Sequence, residues 1–391
     1  MTIRASHPIH LALLTLAACA GPAERPATSV RPVAREAARV RVAPDDPSVL
    51  YTPPSPSVYA TPQPEVAPVP RAASADPILA ARIADLGRAF DGHVGIAVRD
   101  VHGGWTASHN GSALFPQQSV SKLWVAIAVM DAIDRGTIRL SDPYTVTSAD
   151  MTLFHQPIRA MLRGGVYRTT VGDLLTRAMT QSDNTCNDIL LRLVGGPQAV
   201  RAVLARAGVG GVRFGPGERL LQSGTAGMTW RPQYSVGDAF YAARSALPAS
   251  VRQAAFSRYL ADPVDGASPD GITDGLAKLK RGELVSHQSA EDLISVMYAS
   301  KTGPSRMKSG SAPGWRIAHK TGTGQNLGGV VAGYNDVGLV TAPDGTTYAV
   351  AILIGRTTQG IPVRQRLMAD VVRAVVDLKS REAGGSSYGS R

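Results

Sequence analysis

The chain has 391 residues, of which 44% are hydrophobic and 18% charged. This length allows two or three domains at most, and the composition can bury a large core, which excludes a wholly disordered protein. The one long apolar run lies at the extreme N-terminus, which excludes a protein with several membrane spans. The net charge of +11 rests on thinly spread arginines without interleaved aromatic residues, which argues against nucleic-acid binding.

Residues 1–20 have the pattern of a secretory signal segment. Arg4 precedes an apolar run over residues 9–18, which is too short to span a bilayer as a helix. Cys19 ends a Leu-Ala-Ala-Cys stretch that resembles a bacterial lipobox, so we expect it to be lipidated and to anchor the protein. The alternative is ordinary signal cleavage nearby, with Cys19 incidental. The expected location is the periplasm, lipid-anchored in the first case and soluble in the second.

The following segment, residues 21–75, is rich in proline. Residues 21–70 hold 12 of the 27 prolines, and such runs favour extended polyproline geometry over helices or central strands. We expect a disordered linker here, a folded body over residues 76–380 and a disordered tail over residues 381–391. Whether the linker is a spacer or plain filler is left open by the sequence.

Hydrophobic periodicity predicts the order of elements in the body. The predicted helices and strands are helices 78–90, 120–134, 171–181, 185–193, 197–206, 235–247, 289–299 and 361–379, and strands 95–99, 104–109, 315–321, 329–341 and 346–355. The stretch 263–271 resembles a surface loop. Strands at both ends with helices between them predict an α+β fold, in which helices flank an antiparallel sheet and an all-helical subdomain is inserted.

Three short motifs carry possible chemistry. Ser119 and Lys122 form an S-x-x-K at the start of the apolar helix, where both side chains share one face and a lysine amine can activate a hydroxyl. The run 182–184 is Ser-Asp-Asn, which would also serve as a helix cap. The run 320–324 is Lys-Thr-Gly-Thr-Gly at the end of a strand, where a cation and hydroxyls suit a carboxylate.

Two near-copies of these motifs occur elsewhere. Ser305 to Lys308 is a second S-x-x-K, but it lies among glycine and proline with no apolar helix behind it. Lys301 to Gly303 is a second Lys-Thr-Gly, but it follows a predicted helix and precedes Pro304, which is typical of a helix stop. We interpret the first as chance and the second as a structural feature.

Taken together and in order, the three motifs resemble those of the serine β-lactamases and penicillin-binding proteins. The resemblance covers nearly the whole body. Glu218 with Leu221 and Gln222 resembles the E-x-x-L-N pattern of class A β-lactamases, whose glutamate activates the deacylating water. The alternative for Glu218 is a solvated loop carboxylate.

The resemblance implies a role for each matched residue. Ser119 would be the nucleophile, Lys122 would help to activate it, and Ser182 would relay a proton to the leaving nitrogen. Glu218 would free the acyl ester with water. The implied substrate-binding residues are Asn184, Gln222, Lys320, Thr321 and Thr323, and the backbone N–H groups of Ser119 and Thr323 would form an oxyanion hole.

The chain departs from the family pattern in several places. Gln222 replaces the usual asparagine, and its extra methylene is expected to crowd the deacylating water. Arg219 replaces the usual proline, and residues 219–232 contain no acid, so the usual loop-closing ion pair is not expected. No arginine follows Lys320 in residues 325–331 to support the substrate carboxylate, which leaves Arg356 or Arg364 as substitutes. Phe154 or His155 is a candidate wall of the cleft.

The implied function is hydrolysis of β-lactams through a serine acyl-enzyme. The alternatives are a penicillin-binding D,D-peptidase acting on peptidoglycan and a hydrolytically weak cell-wall sensor. We expect no cofactor and no metal, because the eight histidines are scattered and no zinc spacing occurs. Cys186 is expected to be a buried thiol. The expected partner is a small β-lactam, without nucleic acid, and the expected state is a monomer.

Overall fold

The computed structural model describes residues 74–386. The expected signal segment, the linker up to residue 73 and Cys19 lie outside the described residues, as do residues 387–391 of the expected tail. None of the helices described here combines the length and the apolar character needed to cross a membrane.

Eleven α-helices and ten strands occur within the described residues. The helices are α1 (Pro77–Ala89), α2 (Lys122–Asp134), α3 (Val171–Thr180), α4 (Asn184–Leu193), α5 (Pro197–Arg206), α6 (Glu218–Thr225), α7 (Ala239–Ala246), α8 (Ala249–Ala261), α9 (Pro269–Lys280), α10 (His287–Tyr298) and α11 (Ile361–Ser386). The strands are β1 (His93–Asp100), β2 (Thr106–His109), β3 (Phe115–Pro116), β4 (Pro143–Thr147), β5 (Val166–Thr170), β6 (Gly266–Ala267), β7 (Arg316–Thr323), β8 (Asn326–Leu327), β9 (Val330–Thr341) and β10 (Thr347–Thr357).

The main sheet is antiparallel and is built from both ends of the body, as the sequence predicts. Its order is β2-β1-β10-β9-β7, with β8 paired to β9. Two small two-stranded ribbons, β3–β6 and β4–β5, lie outside it. The helices α2 to α10 fall between β3 and β7 in the chain, so the predicted α+β class is confirmed.

Both faces of the sheet are buried. Along β10, Val350 and Ile352 pack against α1 and α11, whereas Ala351 and Leu353 face the core formed with α2 and α9. This alternation explains why the strand is apolar throughout, since each successive side chain points to the opposite covered face.

The helix α2 is hydrophobic on every side because it is buried on every side. Ten of its residues are buried, from Lys122 to Ala132, and Trp124 is fully enclosed. A short 3-10 helix, Gln118–Ser121, leads into it. The S-x-x-K motif therefore begins in the 3-10 helix and ends at the first residue of the buried helix α2.

The region between α6 and α10 corrects the sequence prediction. In place of the predicted helix 235–247 the structure has the shorter α7, Ala239–Ala246. The sequence did not predict the helices α8 and α9. The expected surface loop 263–271 is wrong, because Asp265 and Ala267 are buried and β6 pairs with β3. The last helix runs to Ser386, beyond the predicted end at 379.

Candidate active site

The 3-10 helix and α2 place the first two candidate residues together. Lys122 Nζ lies 2.8 Å from Ser119 Oγ and donates a hydrogen bond to it. The same ammonium donates to Asn184 Oδ1 at 2.9 Å and contacts the Glu218 carboxylate. The Lys122 and Glu218 side chains are almost completely buried, whereas Ser119 is half-buried and faces a cleft. Lys122 thus contacts residues from three sequence patterns: Ser119 of its own S-x-x-K, Asn184 of the Ser-Asp-Asn run, and Glu218 of the stretch that resembles E-x-x-L-N.

The Ser-Asp-Asn run caps a helix and also places two side chains in the cleft. Asp183 caps α4 by accepting the backbone N–H of Cys186 at 3.0 Å, which is the structural role that the sequence allowed. Ser182 has a φ of +60°. This left-handed backbone conformation is unfavourable for a residue that carries a side chain. The turn directs Ser182 and Asn184 into the cleft, where both line the wall.

The strand β7 brings the third motif to the same place. Lys320 Nζ donates to Ser182 Oγ at 2.9 Å. Burial, and then the positive charge of Lys122, hold the pKa of Lys320 well below its usual value. Thr321 and Thr323 line the cleft beside it.

Gly322 allows a close approach between two stretches of main chain. A Cβ built on Gly322 would lie 2.5 Å from the carbonyl oxygen of Gln117. The glycine therefore allows β7 to approach the segment that carries Ser119, rather than allowing a ligand to approach the strand. This close contact sets Thr323 beside the nucleophile.

The helix α6 begins at Glu218, whose backbone is held by a buried carboxylate. The buried Asp188 carboxylate accepts the backbone N–H groups of Glu218 at 2.8 Å and Arg219 at 3.2 Å. Burial, and then the charge of Glu218, raise the pKa of Asp188 to about 6. Arg219 contacts the backbone of residues 149–150, with its guanidinium 5.6 Å from the centre of the Trp230 ring.

Gln222 lies between Glu218 and a buried polar network. Its Nε2 donates to Gln118 Oε1 at 3.1 Å and to Glu218 Oε2 at 3.3 Å. The Gln118 backbone N–H donates to Asp265 Oδ2 at 2.8 Å, in the stretch expected to be a surface loop. Gln222 therefore holds one oxygen of the Glu218 carboxylate, and it also lines the cleft.

Arg306 is one of two cleft arginines that were not predicted from the sequence, the other being Arg244. Arg306 Nη2 donates to Thr323 Oγ1 at 2.7 Å, and the Arg306 guanidinium lies 3.8 Å from the centre of the Tyr334 ring. It belongs to the second S-x-x-K, which had been dismissed as chance. The two expected substitutes do not line the cleft: Arg356 is exposed on β10, and Arg364 donates to the Gln359 carbonyl.

The second Lys-Thr-Gly also reaches the site. Thr302 Oγ1 lies 2.7 Å from Thr321 Oγ1, and Gly303 lines the cleft. The motifs that contain Thr302 and Arg306 do not indicate this position, because the proximity of these residues to β7 comes from the chain path after α10. Phe154 and His155, the candidate wall residues, both line the cleft.

The cleft has a volume of about 690 Å³. The side chains that surround it are Ser119, Phe154, His155, Ser182, Asn184, Gln222, Tyr241, Arg244, Thr302, Arg306, Thr321, Thr323, Gln325 and Asn326. This size suits a small molecule, and the Ser119 hydroxyl on its wall contacts the buried Lys122 amine, which in turn contacts the buried Glu218 carboxylate. No group of acidic, histidine or cysteine side chains suited to a metal ion occurs within residues 74–386.

Comparison with known proteins agrees with this geometry. The model of the beta-lactamase enzyme family matches residues 78–378. The extended-spectrum β-lactamase PER-1 of Pseudomonas aeruginosa is 26% identical over 274 residues, covering 70% of this chain and 78% of the relative. β-Lactamase VEB-1 of the same organism is 23% identical over 296 residues, covering 75% and 88%.

Solved structures show the same fold. A β-lactamase from Chitinophaga pinensis aligns with a TM-score of 0.63 and 26% identity, over 77% of this chain and 99% of that one. An ancestral class A β-lactamase aligns with a TM-score of 0.60 and 27% identity, over 77% and 99%. The chain is therefore a serine hydrolase of the class A type, and it belongs to the beta-lactamase enzyme family.

Proposed function

We propose that the protein hydrolyses the amide bond of β-lactams through an acyl-enzyme on Ser119. The observation that carries this proposal is the position of Lys122 Nζ, which contacts Ser119, Asn184 and Glu218 at once. A hydroxyl held by an amine next to a buried carboxylate has a path for its proton, which is what a serine nucleophile requires.

In the first step, Ser119 Oγ bonds to the lactam carbonyl carbon and the lactam C–N bond breaks. The serine proton passes by way of Lys122 to Glu218. Ser182 gives its own proton to the departing nitrogen and is reprotonated from Glu218 through Lys122, so that Glu218 is ionised again before the second step. Lys320 donates to Ser182 Oγ, so the Ser182 hydroxyl hydrogen is free to point to the substrate. The close approach of Gly322 supports an oxyanion hole made by the N–H groups of Ser119 and Thr323.

In the second step, water adds to the acyl carbon while Glu218 accepts its proton, the ester C–O bond breaks, and the proton passes to Ser119 Oγ, which regenerates the enzyme. One carboxylate oxygen contacts Lys122, and the other accepts a hydrogen bond from Gln222. Both contacts orient the carboxylate towards the ester that forms on Ser119. Gln222 takes the position of the asparagine that is usual in the family. Its effect on the water is an effect on the rate of deacylation.

The substrate carboxylate is proposed to lie between Lys320, Thr323 and Arg306. Arg306 Nη2 contacts the Thr323 hydroxyl, and a second donor, Nη1, holds the Gly322 and Asn335 carbonyls. The guanidinium is therefore fixed in place before a ligand arrives, and a fixed cation loses little entropy on binding an anion.

The test uses the full chain and benzylpenicillin. Intact mass and free antibiotic are followed over time for the wild type and for Ser119→Ala. We expect catalytic loss of the drug with a transient adduct on the wild type, and neither on Ser119→Ala. A stoichiometric adduct without turnover would favour the D,D-peptidase alternative, and absence of both adduct and turnover would favour the sensor alternative.

A separate proposal concerns location. We propose that Cys19 is lipidated and that residues 21–75 hold a monomeric enzyme away from a periplasmic membrane surface, on the strength of the lipobox resemblance and the proline content. Metabolic labelling with a fatty acid, in wild type and Cys19→Ala, tests the anchor. Label in both forms, or in neither, would contradict it, and sedimentation of the purified enzyme tests the monomer.

A further inference from the structure

One wall of the cleft is formed by α7, which faces the edge strand β8. Tyr241 and Arg244 of α7 both line the cleft. Arg244 Nη2 donates to the backbone carbonyl oxygen of Asn326 at 3.2 Å, so the side chain reaches across to the opposite wall. Phe154 stands next to Tyr241, with ring centres 6.0 Å apart, which makes this end of the cleft aromatic.

The charge of Arg244 is not neutralised by its described surroundings. Within residues 74–386 no carboxylate forms an ion pair with it, and its Nε is buried without a hydrogen-bond partner. Partial burial, and then the positive charge of Arg252, lower the pKa of Arg244. The described side chains that line the cleft include no aspartate or glutamate. An anion at this position would therefore meet an unpaired cation in a partly dry site.

The two cleft arginines lie at different points along one strand edge. Arg306 contacts Thr323, which is paired with Tyr334, and Arg244 contacts Asn326, which is paired with Val331. Three residues of strand β9 separate these levels, which corresponds to roughly 10 Å. A ligand lying along the edge can place one anionic group at each arginine.

We propose that Arg244 binds an anionic group on the acyl side chain of the substrate, so that β-lactams carrying a second carboxylate or sulfonate are preferred. This inference rests on the proposed function, which assigns the first carboxylate to Lys320, Thr323 and Arg306. Arg244 then determines specificity and takes no part in the bond changes at Ser119. The aromatic side chains Tyr241 and Phe154 accept an aryl group beside it.

The test compares two penicillins that differ by one carboxylate, benzylpenicillin and its α-carboxy analogue carbenicillin. The measured quantity is the ratio of kcat/KM for the dianion to kcat/KM for the monoanion. We expect Arg244→Gln to lower this ratio about tenfold, the loss of one charge-assisted hydrogen bond, and Arg244→Lys to restore part of it. Arg258→Gln, on the exposed surface of α8, removes the same charge outside the cleft and serves as the control for long-range steering.

If Arg244 only links α7 to β8 structurally, Arg244→Gln will lower kcat/KM for both penicillins by the same factor. The ratio would then be unchanged, and this result would overturn the proposal. An equal fall of the ratio in Arg258→Gln would also overturn it. If wild type hydrolyses neither penicillin, the proposed function fails by itself. Arg244 is then tested by calorimetric binding of both compounds to Ser119→Ala, with and without Arg244→Gln, where equal relative affinities would overturn the inference.

Discussion

Lys320 and Ser182 are 138 positions apart in the chain, yet the lysine Nζ lies 2.9 Å from the serine Oγ. This contact joins the main sheet to the helical subdomain across the cleft. It also places a second buried amine near Lys122, and that neighbour lowers the pKa of Lys320 further after burial. Glu218 is the carboxylate that contacts Lys122, so removing its charge should disturb both amines.

The first prediction concerns Glu218→Gln. We expect penicillin to acylate Ser119, while deacylation slows by about a hundredfold or more, because the amide cannot accept a proton from water. A persistent adduct in intact-mass spectra, and a burst followed by slow turnover, measure this effect. Glu291→Gln on exposed α10 should turn over like the wild type. Undiminished turnover by Glu218→Gln would show that another group activates the water.

The second prediction concerns Arg306. Arg306→Gln should lower kcat/KM for benzylpenicillin about tenfold, because the substrate carboxylate loses a fixed charged donor. Arg356→Gln removes an arginine that sequence reasoning favoured and should leave kcat/KM unchanged. Circular dichroism and the Tm of each variant separate this loss from misfolding, since Arg306 also holds two backbone carbonyls. An effect of Arg356→Gln as large as that of Arg306→Gln would refute the assignment.

The third prediction concerns the backbone contact at Gly322. In Gly322→Ala the new Cβ meets the Gln117 carbonyl oxygen, so β7 and the Ser119 segment must separate. We expect a loss of about 1–3 kcal/mol in the free energy of unfolding and slower acylation. Gly224→Ala, in α6 with nothing within 4 Å of the new Cβ, is the matched control. The free energy of unfolding of Gly224→Ala should equal that of the wild type or exceed it by up to about 1 kcal/mol. An equal change in both variants would contradict the proposed effect of the Gly322 contact.

The fourth prediction concerns pH and Asp265. Burial raises the pKa of Asp265 to about 6, and the hydrogen bonds from Gln118 and Tyr259 offset this only in part. The unfolded chain has a value of about 3.9, so between the two values the folded protein holds more protons. The contribution of Asp265 to the free energy of unfolding therefore falls as the pH rises from about 4 to about 6.

Asp265→Asn removes this pH dependence. The variant should match the wild type near pH 4 and exceed it by up to about 3 kcal/mol above about pH 6.5. Denaturant unfolding at several pH values measures the difference. Asp188 contributes in the same window in both proteins, so the comparison isolates Asp265. Parallel stability curves would mean that Asp265 keeps an ordinary pKa.

Strong periodicity made most of the fold predictable. The apolar helix after Ser119 and the continuous apolar strand β10 could be read directly, because burial on all sides leaves an unbroken apolar run. The helix α8 could not, because alanine, serine and arginine dominate it and only a few of its residues are buried. The stretch 263–271 was misread because glycine, proline and aspartate usually mark loops, whereas here most of the stretch is buried, Ser268 caps α9 and Pro269 begins that helix.

The site was predictable where local motifs carry it. Ser119, Lys122, Ser182, Glu218 and Lys320 meet as the family resemblance implied. Arg306, Asp188 and Arg244 were not predicted, since each acts on residues that are distant in the chain. Arg306 shows the difficulty most clearly, because its motif was examined and discarded for lacking the helix that a nucleophile would need.

The contact at Gly322 has an evolutionary consequence. It joins two stretches of main chain, so no exchange of side chains elsewhere can loosen it, and the bottom of the cleft offers little room for adaptation. The α7 wall is built from side chains such as Tyr241 and Arg244, which single codon changes can alter without disturbing the nucleophile. Under selection by a new antibiotic, substitutions should therefore accumulate on the α7 wall.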